Sequence, residues 1–206
     1  MSYNRSSFSN SRAALPSPSV GQGSSVRPFE AHSNPNTVIL SLGANQPSVF
    51  GSAEETFSSA CEWLSARGFH DIYMTRPWGS RPFLTGGTLC FLNVILVGYS
   101  TLSPRDILRL AKQFERLAGR RVNPHRWSPR PIDIDLVSFG TRVIGWPNPP
   151  PRANHLILPH PRAHQRGFVL GPLASVWPDW VHPVIGQRAD RLFRDLPKDA
   201  AAIPVA

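Results

Sequence analysis

The chain has 206 residues, enough for one domain with an extension and too few for a multidomain assembly. Its 22 Lys and Arg against 13 Asp and Glu leave a net charge of +9, which favours anionic partners: a nucleotide, a nucleic acid or a membrane surface. No apolar run approaches the roughly 18 residues that cross a bilayer, and the N-terminal stretch lacks the apolar segment of a secretory signal, so export and membrane insertion are not expected.

Only Lys112 and Lys198 are lysines. The arginine bias suits bidentate phosphate clamping and equally a coding bias in composition. The cysteines, Cys61 and Cys90, are too far apart for a CxxC pair and too few for a zinc site, which fits a reduced cytoplasmic protein. The 22 prolines are about twice the usual share and predict long irregular stretches.

Met1 to Asn36 is rich in Ser, Asn and Pro without a period of 2 or 3.6 and is read as a disordered tail. Its Arg and Ser with a single acid, Glu30, also resemble the composition of an organellar transit peptide. Order is expected from Thr37, where the apolar run to Gly43 has the character of a buried strand. Ser52 and Glu55 form a capping-box pattern, and Phe57, Ala60, Cys61 and Leu64 follow at helical spacing until Gly68. Phe69 to Thr75 predicts a second strand, Arg76 to Gly87 a Pro- and Gly-rich loop, and Leu89 to Tyr99 a third strand. Ser103-Pro104 with Asp106 opens a second helix with an apolar stripe through Ile107, Leu108, Leu110, Ala111, Phe114, Leu117 and Ala118, closed by Gly119. Pro131 to Phe139 is the fourth strand, and Phe168 to Trp177 with Leu192 to Leu196 suggest smaller elements packed on the core. The order strand, helix, strand, strand, helix, strand predicts an α+β fold with a ferredoxin-like βαββαβ core, an antiparallel sheet packed by helices. The domain is expected to span 37–196, with a C-terminal tail over 197–206.

Asp133 and Asp135 are two apart on the fourth strand and so share a face, while Ile132, Ile134 and Leu136 take the other. A polar outer face would explain this pattern. Two like charges so close repel unless a cation lies between them, and a strand DxD pair with substrate phosphates is a donor set that Mg²⁺ accepts. Just upstream, Gly119 to Arg130 holds four arginines and Trp127, either a solvated loop or a device that stabilises charge on a transferring phosphoryl group. No GxxxxGK[ST] loop, strand-coupled GxGxxG or kinase-type catalytic loop is present. His160 and His164 are interrupted by Pro161 and lack the Glu of a zincin helix, and no GxSxG or Cys-His motif stands out.

The run Arg126-Trp-Ser-Pro-Arg-Pro-Ile-Asp-Ile-Asp135 resembles the Arg-Trp-Gly-Pro-Arg-Thr-Leu-Asp-Leu-Asp signature of the 6-hydroxymethyl-7,8-dihydropterin pyrophosphokinases. Further resemblances follow in that family's order: Leu42 to Asn45, Thr75 to Gly79, Phe91 to Asn93, Glu115 with Gly119-Arg120, Leu158 to Pro161, and Arg166 to Leu170. Together they cover about residues 37 to 195. The resemblance implies transfer of the terminal diphosphate of ATP to the pterin hydroxymethyl oxygen, giving AMP and a pterin diphosphate for folate synthesis, with two Mg²⁺ ions held by Asp133 and Asp135. It implies catalytic roles for Arg120 and Arg130. The same resemblance gives a nucleotide site of Glu115, Arg126, Ile134, Ile157, His160 and Arg166, and a pterin site of Gly43, Thr75, Trp78, Phe91, Asn93, Trp127 and Phe168. A flat bicyclic ring suits Phe91 and Phe168 above and below, with the Asn93 amide on its edge, although buried aromatics are also ordinary core. The implied enzyme is a cytoplasmic monomer whose partners are ATP and 6-hydroxymethyl-7,8-dihydropterin, not a membrane or a nucleic acid.

The chain departs from the family pattern at Val122, Ser128 and Arg76, and its Gly79 to Phe91 loop is longer, with Gly86-Gly87. That loop and Arg120 to Trp127 are expected to be mobile lids. A weakly active paralogue is one alternative. The other is a basic nucleic-acid-binding module, in which Trp127 and the arginine loop would meet bases and phosphates.

Overall fold

The computed structural model describes residues 34–80, 91–120, 130–146, 156–200 and 202–205. Its elements run β1 (Thr37–Ala44), α1 (Ala53–Ser65), β2 (Phe69–Met74), β3 (Trp78–Ser80), β4 (Phe91–Ser100), α2 (Pro104–Leu117), β5 (Asp133–Phe139), α3 (Gly167–Val176), α4 (Ala189–Arg194) and β6 (Ile203–Pro204). The two lids expected from the sequence fall mostly in 81–90 and 121–129 and lie, with Arg126, Trp127, Val122 and Ser128, outside the described residues, as does the segment 1–33.

The strands pair antiparallel in the order β5-β1-β4, and β2 and β3 follow one another along the far side of β4. This is the expected ferredoxin-like arrangement. Between β2 and β3 the ladder is carried by Thr75: its N–H donates to the Ile95 carbonyl at 3.0 Å, and its hydroxyl accepts the Ile95 N–H at 3.0 Å. The composition from Arg76 to Gly87 predicts a loop, but Trp78–Ser80 is a strand, because Trp78, Gly79 and Ser80 pair with Asn93, Leu92 and Phe91. Its outer edge is covered by β6, which lies in the stretch read as a C-terminal tail.

Alternation sorts the sheet into two faces. Val38, Leu40, Leu42, Val94, Leu96, Ile134 and Leu136 pack under α1 and α2. Ile39, Ile95, Val97 and Val137 pack on the other face with Val169 and Leu173 of α3. The capping box of α1 is present in full, with Ser52 accepting from the Glu55 N–H and Glu55 accepting from the Ser52 N–H. Ser103 caps α2, and Pro104 occupies its first turn, where no N–H is needed. Buried Cys61 packs in the first core, and burial pushes its thiol up to about 12, so it is inert.

Helix α3 covers only part of the second face. It lies close to β3 at Gly171, where a Cβ would fall 2.5 Å from the Trp78 ring and 3.1 Å from Phe193. The Trp78 and Phe193 rings meet edge to face at 5.8 Å. Gly171→Ala should therefore force these rings apart and destabilise the fold by about 1 to 3 kcal/mol through overpacking. A lowered urea midpoint with an unchanged denaturant slope would register it; an unchanged midpoint would show that the close approach is not needed.

Candidate active site

Beyond the N-terminal end of α3 the second face of the sheet carries polar groups, and strand register places them in one row. Asp133 on β5 is opposite Gly43 on β1, Gly43 is opposite Asn93 on β4, and Asn93 is opposite Trp78 on β3. Asp135 lies two residues along β5, opposite Ser41. Four residues singled out from the sequence thus form a line across the sheet, with the carboxylates at one end and the aromatic at the other.

The acidic end is a network of charge-assisted hydrogen bonds. Arg120 reaches Asp133 Oδ1 at 2.5 Å, and Arg130 reaches Oδ2 at 2.6 Å. Arg130 is held by its backbone as well, since its N–H donates to the Asn45 side-chain oxygen at 2.7 Å and its carbonyl accepts the Asn45 N–H. Behind them lies Glu115, buried on the inner stripe of α2. One of its oxygens accepts from the Ile134 N–H at 2.8 Å and from Lys112 Nζ at 2.6 Å, and the other meets Arg120 at 2.7 Å. Asp135 pairs with Arg166 at 3.1 Å and has His160 Nε2 at 3.9 Å. Two short connections from α3 and its preceding turn therefore bring Arg166 and His160 to the same face as the acid pair.

Burial pushes Asp133 up, but Lys112, Arg120 and Arg130 overcome it and hold the carboxyl at about 2. Burial outweighs Lys112 and the Ile134 hydrogen bond at Glu115, whose value is raised. His160 is lowered, first by burial, against the pull of Asp135 and with help from Arg166. Arg120 loses some stability as a cation to burial and regains more from Asp133 and Glu115, so it stays charged.

The aromatic end is built differently. Asn93 is buried, and its amide N–H groups donate to the carbonyls of Trp78 and Phe91, each at 3.2 Å, and to Ser80 Oγ at 2.9 Å. Its carbonyl oxygen is thereby fixed towards Gly43, where a Cβ would come within 3.1 Å of it. A glycine in this row leaves the sheet surface open to a flat ligand. Phe91 and Phe168 are half-buried, and the Arg166 guanidinium lies over the Phe168 ring with its carbon 5.5 Å from the centroid. Thr75 and Trp78 have structural duties in the sheet and under α3, as described above. Ile157 precedes Leu158, whose backbone pairs with Ile144.

Sequence reasoning missed three contributors. Lys112 had a signal, being one of two lysines and placed three residues before Glu115 on α2. Asn45 had none beyond its place in a matched motif, and Ser80, one residue past the Thr75 to Gly79 match, had none at all, because their partners are distant in the chain. The two carboxylates suit a hard divalent ion. Among the described residues no group of three or more His, Cys, Asp and Glu is arranged to hold a metal by itself, so phosphates and water would supply the remaining ligands. Among the described residues no helix is long and apolar enough to cross a membrane.

The low Asp133 value has a consequence for stability. Its folded value lies below the unfolded one, near 3.8, so the carboxylate contributes above that pH and loses its contribution as the pH falls towards about 2. The wild type should exceed Asp133→Asn by about 1 to 2 kcal/mol at neutral pH, after allowance for partial exposure, and the gap should close between pH 4 and 2. Urea titrations across that range measure it; a gap that persists at pH 2 would assign the effect to packing.

A sequence model of the 7,8-dihydro-6-hydroxymethylpterin-pyrophosphokinase family matches residues 39–178. The chain is 38% identical over 144 residues to the 2-amino-4-hydroxy-6-hydroxymethyldihydropteridine pyrophosphokinase of Mycobacterium tuberculosis, covering 68% of this chain and 72% of that one. It is 35% identical over 153 residues to the Porphyromonas gingivalis protein of the same name, covering 71% and 93%. In fold it is similar to the crystal structure of Plasmodium falciparum HPPK-DHPS, with a TM-score of 0.57 at 16% identity over 77% of this chain. It spans 44% of that longer Plasmodium chain.

Proposed function

The chain belongs to the 7,8-dihydro-6-hydroxymethylpterin-pyrophosphokinase family and transfers the pyrophosphoryl group of ATP to hydroxymethyldihydropterin in folate synthesis, and we propose that the row from Asp133 to Asn93 is where that transfer takes place. The observation that carries this assignment is the register itself, which sets a cation-lined acid pair and an open, amide-edged surface side by side on one face.

In this reading the pterin hydroxymethyl oxygen attacks the β-phosphorus of ATP. The bond from that phosphorus to the α,β-bridging oxygen breaks, AMP leaves with the bond electrons, and the hydroxyl proton passes to solvent. Asp133 and Asp135 would hold two magnesium ions, which would supply positive charge to neutralise the phosphates. Arg120 and Arg130 turn from Asp133 to the transferring phosphates, where a planar donor fork stabilises charge that moves in the transition state. Arg166 and His160 take phosphate oxygens on the Asp135 side. Ile157 lines the nucleotide, and Arg126, outside the described residues, is assigned to the same site; Glu115, buried on α2, and Ile134, whose side chain lies in the core under α2, act from behind it through Arg120 and Asp133. Gly43, Thr75, Trp78 and Phe91 shape the pterin pocket with Asn93 and Phe168, and Trp127, outside the described residues, is assigned to the same pocket. Asn93 reads the ring edge with an amide already fixed by three hydrogen bonds, so little entropy is lost on binding. The enzyme acts in this account as a cytoplasmic monomer. A nucleic-acid binder would have no use for two carboxylates at the centre of its cations.

The test is incubation with ATP and 6-hydroxymethyl-7,8-dihydropterin, with AMP and pterin diphosphate as the products sought. Asp133→Asn and Asp135→Asn should each lower turnover by about three decades or more while the circular dichroism spectrum is retained. Arg120→Ala and Arg130→Ala should depress kcat more than they weaken ATP binding. Undiminished turnover in either Asp variant would refute the site, and ADP as the product would refute the reaction.

A further inference from the structure

We propose that Lys112 is a resident cation that keeps Asp133 from taking up a free divalent metal, so that metal enters this site together with nucleotide. This rests on the reading of Asp133 as a metal ligand. The lysine lies outside the signature run, yet its ammonium is fixed by oxygens of three different groups: Glu115 Oε1 at 2.6 Å, the Ile134 carbonyl at 3.3 Å and Asp133 Oδ1 at 3.8 Å. Its side chain is 39% exposed, so it stands at the mouth of the site and not beneath it.

Charge in the described part of the site is already balanced towards positive. Three carboxylates, Glu115, Asp133 and Asp135, face four fixed cations, Lys112, Arg120, Arg130 and Arg166. Both oxygens of Asp133 are engaged, Oδ1 by Arg120 with Lys112 beside it and Oδ2 by Arg130. A bare divalent ion must enter a region of net positive charge and displace these partners. A triphosphate reverses that sign and offers the arginines stronger acceptors. Arg120 and Arg130 can turn to it because each meets Asp133 only through the end of a long side chain. Lys112 is tethered beside them by the buried Glu115 carboxylate and the β5 backbone, so its charge persists next to Asp133 whatever the arginines do.

The experiment follows free Mn²⁺ by electron paramagnetic resonance, with and without α,β-methylene-ATP, in the full chain and in Lys112→Gln, Lys112→Arg and Asp133→Asn. Without nucleotide the wild type should bind Mn²⁺ weakly. Lys112→Gln should bind it about tenfold more tightly, since one charge at this distance in a partly solvated site is worth about that factor. Lys112→Arg, which keeps the charge, should resemble the wild type. With the analogue present the wild type and Lys112→Gln should differ by less than about threefold, because the phosphates then dominate the field. Glu115 keeps Arg120 in the Gln variant, so the fold is expected to hold. Equal Mn²⁺ affinity in wild type and Lys112→Gln, with Asp133→Asn still abolishing uptake in the presence of the analogue, would overturn the proposal and leave the metal site standing. Unchanged uptake in Asp133→Asn would overturn both.

Discussion

Glu115 is a carboxylate taken out of water on the inner face of a helix, and much of the site is arranged around keeping it there. Burial of an unpaired charge would cost several kcal/mol, so the group must be fully partnered. Its partners are the Ile134 N–H on the outer edge of β5, Lys112 and Arg120. The first bond ties α2 to the strand that carries both aspartates and satisfies an edge donor that no neighbouring strand can take. The other two recruit cations to the spot from which they also reach Asp133. One buried acid thus fixes the position of the edge strand and the electrostatic state of its functional side chains.

The remainder of the site follows from sheet geometry. Side chains alternate, so β5 can send Ile134 and Leu136 into the core under α2 while Asp133 and Asp135 face the other way. Antiparallel register then carries the Asp133 position across β1 to Gly43 and across β4 to Asn93. The two ends of the row are held by different means. Opposed charges organise the acidic end; neutral hydrogen bonds with fixed geometry organise the Asn93 end. Such an arrangement suits a reaction in which one substrate is a mobile polyanion and the other a rigid ring.

Much of this was readable from the chain because local chemistry and tertiary structure agree. Ser52 with Glu55 and Ser103 with Pro104 announce helix starts whose caps form as read, and the Asp-Ile-Asp-Leu alternation announces a strand with one functional face. Where reading failed, the deciding contacts were distant in sequence. Trp78–Ser80 stands among prolines and glycines and is a strand only because β4 and β6 supply its partners. The Thr75 hydroxyl replaces a backbone acceptor across 20 residues, and Asn45 fixes Arg130 across 85. Lys112 was passed over because a lysine on an amphipathic helix ordinarily belongs to the solvated face. What turned it inward is the acid three residues later on the buried stripe.

The proposed site requires that the acidic end and the Asn93 end of the row hold metal and pterin next to one another. Paramagnetic relaxation by Mn²⁺ in a complex with α,β-methylene-ATP and 6-hydroxymethylpterin measures this directly through the proton resonances of the pterin. The hydroxymethyl protons should broaden strongly in the wild type, more than the protons of the far ring, and the broadening should vanish in Asp133→Asn. Sharp hydroxymethyl resonances alongside broadened phosphate signals would place the pterin elsewhere and contradict the account.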